Sequence, residues 1–429
     1  MQQGLIRVAF LGKNASRGGT MRITSYLLKC LDKERFHPLI LMPTGGDLVN
    51  EYRRHAQVDI YEQSLPPSIM SNLCRRAGSA LLDRTLSHPK APQFARDAQV
   101  SRTARRFAQK QSFWVQDRLR EFQPHLIVRT YNMPMPMFDE ISTPSIPQIQ
   151  QFTLSGANLN CMSAFDMERI FARSTAFICE GVGVRDELHR CWGVPLDRIH
   201  TVCLGIDLTL RDEQLQEVDR PRRASLQISD DALVIGAMGA WYYSKGVDLW
   251  IEAAALLRAR YAGRELKFLW IGGRTHERQS VYGRSILNLI EEHGLQEDVI
   301  IVGDQLHVYP YLDMCDIFVQ PSRTDAFPHA TLEAMAVGKP VIAFPQGVAL
   351  EDYAQNALVR VGEISPDALA EGIASLIDHS GLRDRLGQSG LRLVTERLDL
   401  AESVRCYERI LAAVARTHAS KINQRMAAK

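Results

Sequence analysis

The stretch that decides the reading runs from Phe318 to Phe344, FVQPSRTDAFPHATLEAMAVGKPVIAF. An apolar run ends at Pro321-Ser322, and a short loop leads to Pro328. Proline suits a first helical turn, where the missing N–H would lack a partner anyway. Leu332, Met335 and Ala336 follow as an apolar stripe at helical spacing, Gly338 stops the helix, and Pro340 opens the next strand. A helix beginning at the carboxyl end of a parallel strand is where open α/β sheets place their ligands. Its free N–H groups and dipole favour an anion such as a phosphate. Two acids mark the segment, Asp325 before the helix and Glu333 within it. With helical residues between them their Cα atoms would lie about 12 Å apart. A retaining glycosidase holds its two carboxyls only ~5 Å apart, so a two-carboxylate hydrolase is disfavoured. The plain alternative makes Asp325 a helix cap and Glu333 an ordinary helical residue.

On either side of this stretch, short apolar runs recur with helical patterns between them. They are Ile6–Gly12, Pro38–Met42, Leu126–Val128 and Ala176–Cys179, then Leu233–Gly239, Leu266–Gly272, Val299–Gly303, Ile317–Gln320 and Pro340–Ala343. Strand, helix, strand at this spacing is a βαβ unit and implies a parallel sheet. The polar stretch from Arg211 to Asp231, with Arg220-Pro221-Arg222-Arg223, separates two such sets. The expectation is an N-terminal Rossmann-like domain over 1–210, a linker over 211–231, a second Rossmann-like domain over 232–398, and a C-terminal helix and tail over 399–429.

A second signal is Gly236-Ala237-Met238-Gly239 followed by Lys245-Gly246 at the start of a helix from Val247. An ammonium suits a phosphate as a point charge, and a helix start disfavours a cation, which points toward an anionic partner; the plain alternative is a solvated lysine at a helix start. The segment is neither a Walker loop nor a G-x-G-x-x-G fingerprint. Arg17-Gly18-Gly19-Thr20, after the first strand, is a third and weaker signal, equally readable as a turn.

The 429 residues are 45% apolar and 23% charged, with a net charge of +2. Such values exclude a disordered chain, a fibre and a small disulfide scaffold, and they do not indicate a nucleic-acid binder. At about 150 residues per domain the length predicts two or three domains. The opening Met1–Arg7 reads as no secretory leader, and no run approaches the ~18–20 apolar residues of a membrane span. The eight cysteines contain no C-x-x-C pair and read as reduced, mostly buried thiols of a cytoplasmic protein, with no metal site.

Together these residues resemble the GT-B glycosyltransferases, most closely family 4, the retaining enzymes dependent on nucleotide sugars. The likeness is specific from about Val234 to Phe344 and looser before it. Asp325 and Glu333 occupy the places of the family's two acids, and Gly239, Lys245 and Gly246 match its strand-glycine and K-G element. The resemblance implies two facing Rossmann-like domains, doubly wound α/β, with a cleft between them. It implies a hexosyltransferase-type activity moving a sugar from a UDP- or GDP-sugar to a hydroxyl acceptor, with retention and without a metal or other cofactor. Lys245, Asp325 and Glu333 would be the catalytic set: Glu333 on the ribose hydroxyls, Lys245 facing the pyrophosphate, Asp325 on the sugar. His329, Ala330 and Thr331 would offer backbone N–H groups beside Phe327. Gly18 and Gly19 would close on the donor, and Gly303 to Val308 would border the base. Three departures stand out. Ala240 occupies the place of a family arginine, with Arg17, Arg22 and Arg274 as candidates to replace it. Asp325 is one methylene shorter than the usual glutamate. Gln148-Ile149-Gln150-Gln151-Phe152 lacks the acceptor-side histidine. The alternatives are a degenerate module that binds nucleotide sugar or a partner, and a sugar-nucleotide epimerase.

The net charge conceals an asymmetry. Residues 71–120 carry eleven Lys/Arg and three Asp/Glu, a local +8 that leaves −6 for the rest. On a helix from Ser101 to Phe122, Ala104, Phe107, Trp114, Val115, Leu119 and Phe122 share one face, opposite Arg102, Arg105, Arg106, Lys110 and Arg120. A basic amphipathic helix can lie on an anionic membrane, but this apolar face better suits a βαβ crossover packed on a sheet. The segment Pro66 to Asp97 is the better candidate for contact with a membrane surface or an acidic or lipid-linked acceptor. The corresponding location is cytoplasmic, peripheral to the membrane if that contact is made.

Overall fold

The computed structural model describes residues 5–16, 19–61, 102–131, 135–139, 141, 143, 145–152, 163–325, 327–345 and 356–427. The chain forms two compact units, one of residues 1–203 with 401–429 and the other of residues 204–400. The basic segment Pro66–Asp97, Gly18, Cys74 and Cys161 lie outside the described residues.

The first unit is built on seven strands: β1 (Ile6–Leu11), β2 (Phe36–Met42), β3 (Gln57–Ile60), β4 (Leu126–Arg129), β5 (Gln148–Phe152), β6 (Ala176–Cys179) and β7 (Ile199–Thr201). All pair in parallel, in the order β3-β2-β1-β4-β5-β6-β7. Val8, Ala9, Phe10 and Leu11 are fully buried. Both faces of a parallel sheet are covered by crossovers, which is why its strands read as continuous apolar runs. The alternating or glutamine-rich strands β3 and β5 and the short β7 escaped that reading.

The helix Arg102–Phe122 packs Val115 and Leu119, flanked by Trp114 and Phe122, on Leu39, Leu41 and Ile127 of the sheet. Tyr61 meets Phe107 and Trp114 edge-on at 5.7 and 5.5 Å. Its apolar face is therefore spent on the sheet. Arg120 and Arg118 pair within the helix, with Asp117 at 2.6 Å and Glu121 at 2.9 Å. The last helix, Leu400–Ala427, belongs to this unit from Ala401 onward. Tyr407 donates its hydroxyl to Gln151 Oε1 (2.9 Å), and Glu408 accepts from the Asp32 N–H (2.7 Å).

The second unit has six parallel strands: β8 (Leu233–Met238), β9 (Leu266–Ile271), β10 (Val299–Gly303), β11 (Ile317–Gln320), β12 (Val341–Ala343) and β13 (Leu358–Arg360). Their order, β10-β9-β8-β11-β12-β13, reverses direction between β8 and β11. The polar stretch 211–231 is fastened to this unit. Arg223 donates to Met314 O and to Asp316 Oδ2 at 2.8 Å each, and Asp316 in turn accepts from the Val234 N–H (2.8 Å).

Six cysteines are described, and none of the six forms a disulfide. Only Cys179 and Cys315 are buried, Cys191 is exposed and the others are partly covered, so the expectation of mostly buried thiols is corrected. No helix among the described residues is long and apolar enough to cross a membrane.

Candidate functional site

In an open parallel sheet the crevice forms where the strand order reverses, because the loops leaving the two central strands turn to opposite faces. In the second unit those strands are β8 and β11, paired through Ile317↔Ile235 and Val319↔Ala237. The loop after β8 carries Gly239 to Gly246, and the loop after β11 carries Pro321 to Pro328. The two segments singled out in the sequence therefore emerge side by side.

The structure joins their charged residues directly. Lys245 Nζ donates to Asp325 Oδ2 at 2.5 Å, with the lysine side chain 30% and the aspartate 14% exposed. Gln320, buried at the end of β11, donates to Ser322 Oγ (2.7 Å) and more weakly to the same Asp325 oxygen (3.4 Å). The lysine stem passes Gly239, where an added Cβ would lie 3.8 Å from Lys245 Cγ. Asp325 is thus an ion-pair partner and not a helix cap. The first residue of the helix is His329, and its N-cap is Pro328, with no side-chain cap bond.

A second ion pair braces the two loops. The Arg323 guanidinium makes a two-pronged contact with Asp248, 2.8 Å to Oδ1 and 2.7 Å to Oδ2, and also donates to Tyr243 O (2.8 Å). It lies 3.9 Å from the centre of the Tyr243 ring, and its backbone N–H donates to Ser244 O (2.8 Å). Tyr282 completes the group by donating its hydroxyl to Asp248 Oδ1 (2.8 Å). Gly246 sits in the left-handed region (φ +67°), and a Cβ there would fall 1.9 Å from Pro321 O. Lys245 is therefore held between a backbone-to-backbone contact and a paired guanidinium. Arg323, Asp248 and Tyr282 were not read from the sequence: their partners lie 34 to 80 residues away, beyond any local periodicity.

The helix His329–Ala336 buries Glu333 (4% exposed) and Thr331 (0%). The His329 N–H turns back to Phe327 O (3.0 Å) and the Thr331 N–H to Pro328 O (2.9 Å). Two of the three amides expected to face an anion are thus engaged within the turn, while the Thr331 hydroxyl is buried with no hydrogen-bond partner among the described residues. Phe327 is buried and meets the His329 ring edge-on at 5.4 Å. Ala330 is half-buried in the first turn.

Glu277 links the neighbouring loops, accepting through Oε2 from the N–H groups of Trp241 (3.1 Å) and Arg274 (3.0 Å). Arg274 Nε donates to Asp304 Oδ2 at 3.2 Å. Burial raises the Tyr242 hydroxyl pKa, Glu277 adds to the rise and Arg274 opposes it, so the Arg274 charge acts on the loop that carries Lys245. Gly303 accepts from the Gly272 N–H (2.8 Å), and Val308 is buried ahead of the short helix Tyr309–Asp313. The structure thus gathers Gly239, Lys245, Asp325, Phe327, His329, Ala330, Thr331 and Glu333 on adjoining loops and one helix. Gly303 ends the neighbouring strand β10, and Arg274 and Val308 follow β9 and β10. Gly19 begins the helix Gly19–Cys30 of the first unit. Among the described residues, no group of three or more His, Cys, Asp or Glu side chains could hold a metal ion.

Residues 219–392 match the family model described as Glycosyl transferases group 1, a span that contains Lys245, Asp325 and Glu333. The D-inositol 3-phosphate glycosyltransferase of Nocardia farcinica is 29% identical over 236 residues, 53% of this chain and 49% of that protein. The alpha-D-kanosaminyltransferase of Streptomyces kanamyceticus is 28% identical over 226 residues, 51% of this chain and 55% of that one. The chain spans about half the length of the curated relatives it matches. The crystal structure of Anabaena HepE in complex with UDP and glucose superposes with a TM-score of 0.71 at 16% identity, covering 95% of this chain and 100% of that one. WaaG, a glycosyltransferase involved in lipopolysaccharide biosynthesis, gives 0.67 at 16% identity, covering 94% of this chain and 99% of that one. The two parallel sheets are those of the GT-B fold.

Proposed function

We propose, for a GT-B chain whose second unit is of the group 1 glycosyl transferase type, the transfer of a sugar from a nucleotide-diphosphate donor to a hydroxyl acceptor. The observation that carries the reading is the Lys245–Asp325 pair at the strand-order reversal, beside a helix whose N terminus has no side-chain cap and whose interior buries Glu333. In the reaction the bond between the sugar C1 and the β-phosphate oxygen breaks. The nucleoside diphosphate leaves with the electron pair, and the acceptor oxygen bonds to C1 as its proton passes to the departing phosphate oxygen. The charge that grows on the leaving diphosphate is what fixed positive groups stabilise. Lys245 supplies one, and Arg274, aligned by Asp304, supplies a second in place of the arginine absent at Ala240. A metal is then not required. Glu333 takes the ribose hydroxyls, and Asp325 the sugar. We favour a UDP-sugar over a GDP-sugar because HepE was crystallised with UDP and with UDP-glucose. Retention follows from the family resemblance alone.

A second reading, a module that binds nucleotide sugar without turning it over, is favoured by β5. Its glutamines are buried and committed: Gln148 accepts from Arg129 (2.8 Å), Gln150 donates to Tyr131 O (2.7 Å) and Gln151 accepts from Tyr407. None can serve as an acid or base. One experiment separates the readings. The protein is incubated with UDP- and GDP-sugars, and nucleoside diphosphate release is followed in the wild type, Lys245→Ala and Glu333→Ala. Slow release, lost in both variants, supports the enzyme; binding without release supports the module; release that survives in both variants removes this site from the reaction.

A further inference from the structure

The first unit contains a cavity of its own, of about 860 Å³, between the helix Val182–Trp192, the edge strand β7 and the C-terminal helix Leu400–Ala427. Its volume lies within the roughly 300–1,000 Å³ range of small-molecule sites. All the residues that line it belong to the first unit, and none is a donor-site candidate.

Its charges are one-sided. Arg185 and Arg190 come from one helix and Arg409 from the other, against a single carboxylate, Asp186. Arg185 is paired with that adjacent aspartate at 2.8 Å, both side chains being more than a third exposed. Such exposed pairs are weak and open to competition. Arg409 reaches Glu402 at only 3.5 Å, and Arg190 is exposed with no ion pair among the described residues. Two histidines also line the cavity. His189 Nδ1 is 2.9 Å from Val194 O and so carries its proton there, while burial lowers the pKa of His200. Three guanidinium groups and one carboxylate leave a local +2. The wall between them is apolar: Ile199 and Val202 are buried, and Leu196 stands 51% exposed at the rim. The Thr201 hydroxyl lines the same cavity and is buried with no hydrogen-bond partner among the described residues. A buried hydroxyl without a partner is destabilising, and a bond to a ligand oxygen would offset that.

We infer that this cavity binds a phosphate monoester whose organic part is apolar. A phosphate monoester carries close to two negative charges at neutral pH and offers three acceptor oxygens. Guanidinium groups grip such oxygens in pairs. Ile199, Val202 and Leu196 would receive the apolar part, and Thr201 would donate to a phosphate oxygen. The inference does not rest on the transferase reading, since it uses no residue of the second unit.

Phenyl phosphate and inorganic phosphate are the probes, titrated calorimetrically against the whole chain, with UDP as competitor. Phenyl phosphate should bind saturably and at least tenfold more tightly than inorganic phosphate. Arg190→Ala should weaken it about tenfold, and Arg190→Lys less, because charge remains while the fork is lost. UDP should not displace it. Arg190 is exposed, so both variants should keep the wild-type melting temperature. No saturable binding, unchanged affinity in Arg190→Ala, or displacement by UDP overturns the inference. Equal affinity for the two probes overturns the apolar part and leaves a site for free phosphate.

Discussion

Replacing Asp325 by Asn tests how the Lys245–Asp325 pair is used, because two roles for the aspartate give opposite signs. In the protein without ligand the ammonium is occupied by this carboxylate at 2.5 Å. A diphosphate arriving at Lys245 has to share it and also meets the carboxylate's negative charge. The side chains are 30% and 14% exposed, between the surface limit of about 0–1 kcal/mol and the several kcal/mol of a fully buried pair. A competition term of about 1 kcal/mol is reasonable, or roughly fivefold in affinity. Asp325→Asn should therefore bind UDP about fivefold more tightly, while transfer or hydrolysis of the sugar donor falls, since the carboxylate proposed to receive the sugar hydroxyls is gone. Lys245→Ala removes a charge-assisted contact of about 2 kcal/mol and should weaken UDP roughly 30-fold. Isothermal titration of UDP against the three proteins, with matched melting temperatures, gives the answer. If Asp325→Asn weakens UDP as much as Lys245→Ala does, the aspartate serves to aim the lysine and the competition argument is wrong.

Three further outcomes are expected. Arg323→Ala and Asp248→Ala should each lower donor affinity and, in a double-mutant cycle, show about 1–2 kcal/mol of coupling from the two-pronged pair. Arg323→Lys should recover only part of it, and additive effects would show that the brace does not hold the Lys245 loop. Gly246→Ala should destabilise the protein by about 3 kcal/mol, through the left-handed backbone and the collision with Pro321 O. Gly381→Ala is the control: its Cβ meets nothing within 4 Å, and in the helix Ser380–Arg397 the change should stabilise slightly. Equal chemical denaturation curves for the two would refute the contact. Burial pushes the thiols of Cys179 and Cys315 up to about 12. At pH 8 both should stay unlabelled by iodoacetamide in the native protein, while exposed Cys191 is modified, as read by peptide mass spectrometry. Labelling of all three at similar rates would contradict the burial assigned to β6 and to the turn before β11.

Much of the fold is legible in the order of residues because burial on both faces of a parallel sheet leaves a local trace. Runs such as Val234–Ile235 and Phe318–Val319 have no polar side to alternate with. Strands without that trace were missed: β5 fills its interior positions with glutamines, and β7 has three residues. The amphipathic face of Arg102–Phe122 predicted its place on the sheet, since Val115 and Leu119 had to be covered by something apolar.

The sequence alone determined the chemical inventory: a lysine and glycine after one strand, an acid before a helix, and a glutamate inside it, each at a spacing set by local backbone geometry. Only the tertiary structure decided their partners. That Lys245 meets Asp325, that Arg323 grips Asp248, and that Arg185 and Arg190 share a cavity with Arg409 are relations across 75 to more than 200 residues. Such contacts leave no periodicity, because they depend on which strands lie side by side. In the second unit that is the reversal of strand order between β8 and β11.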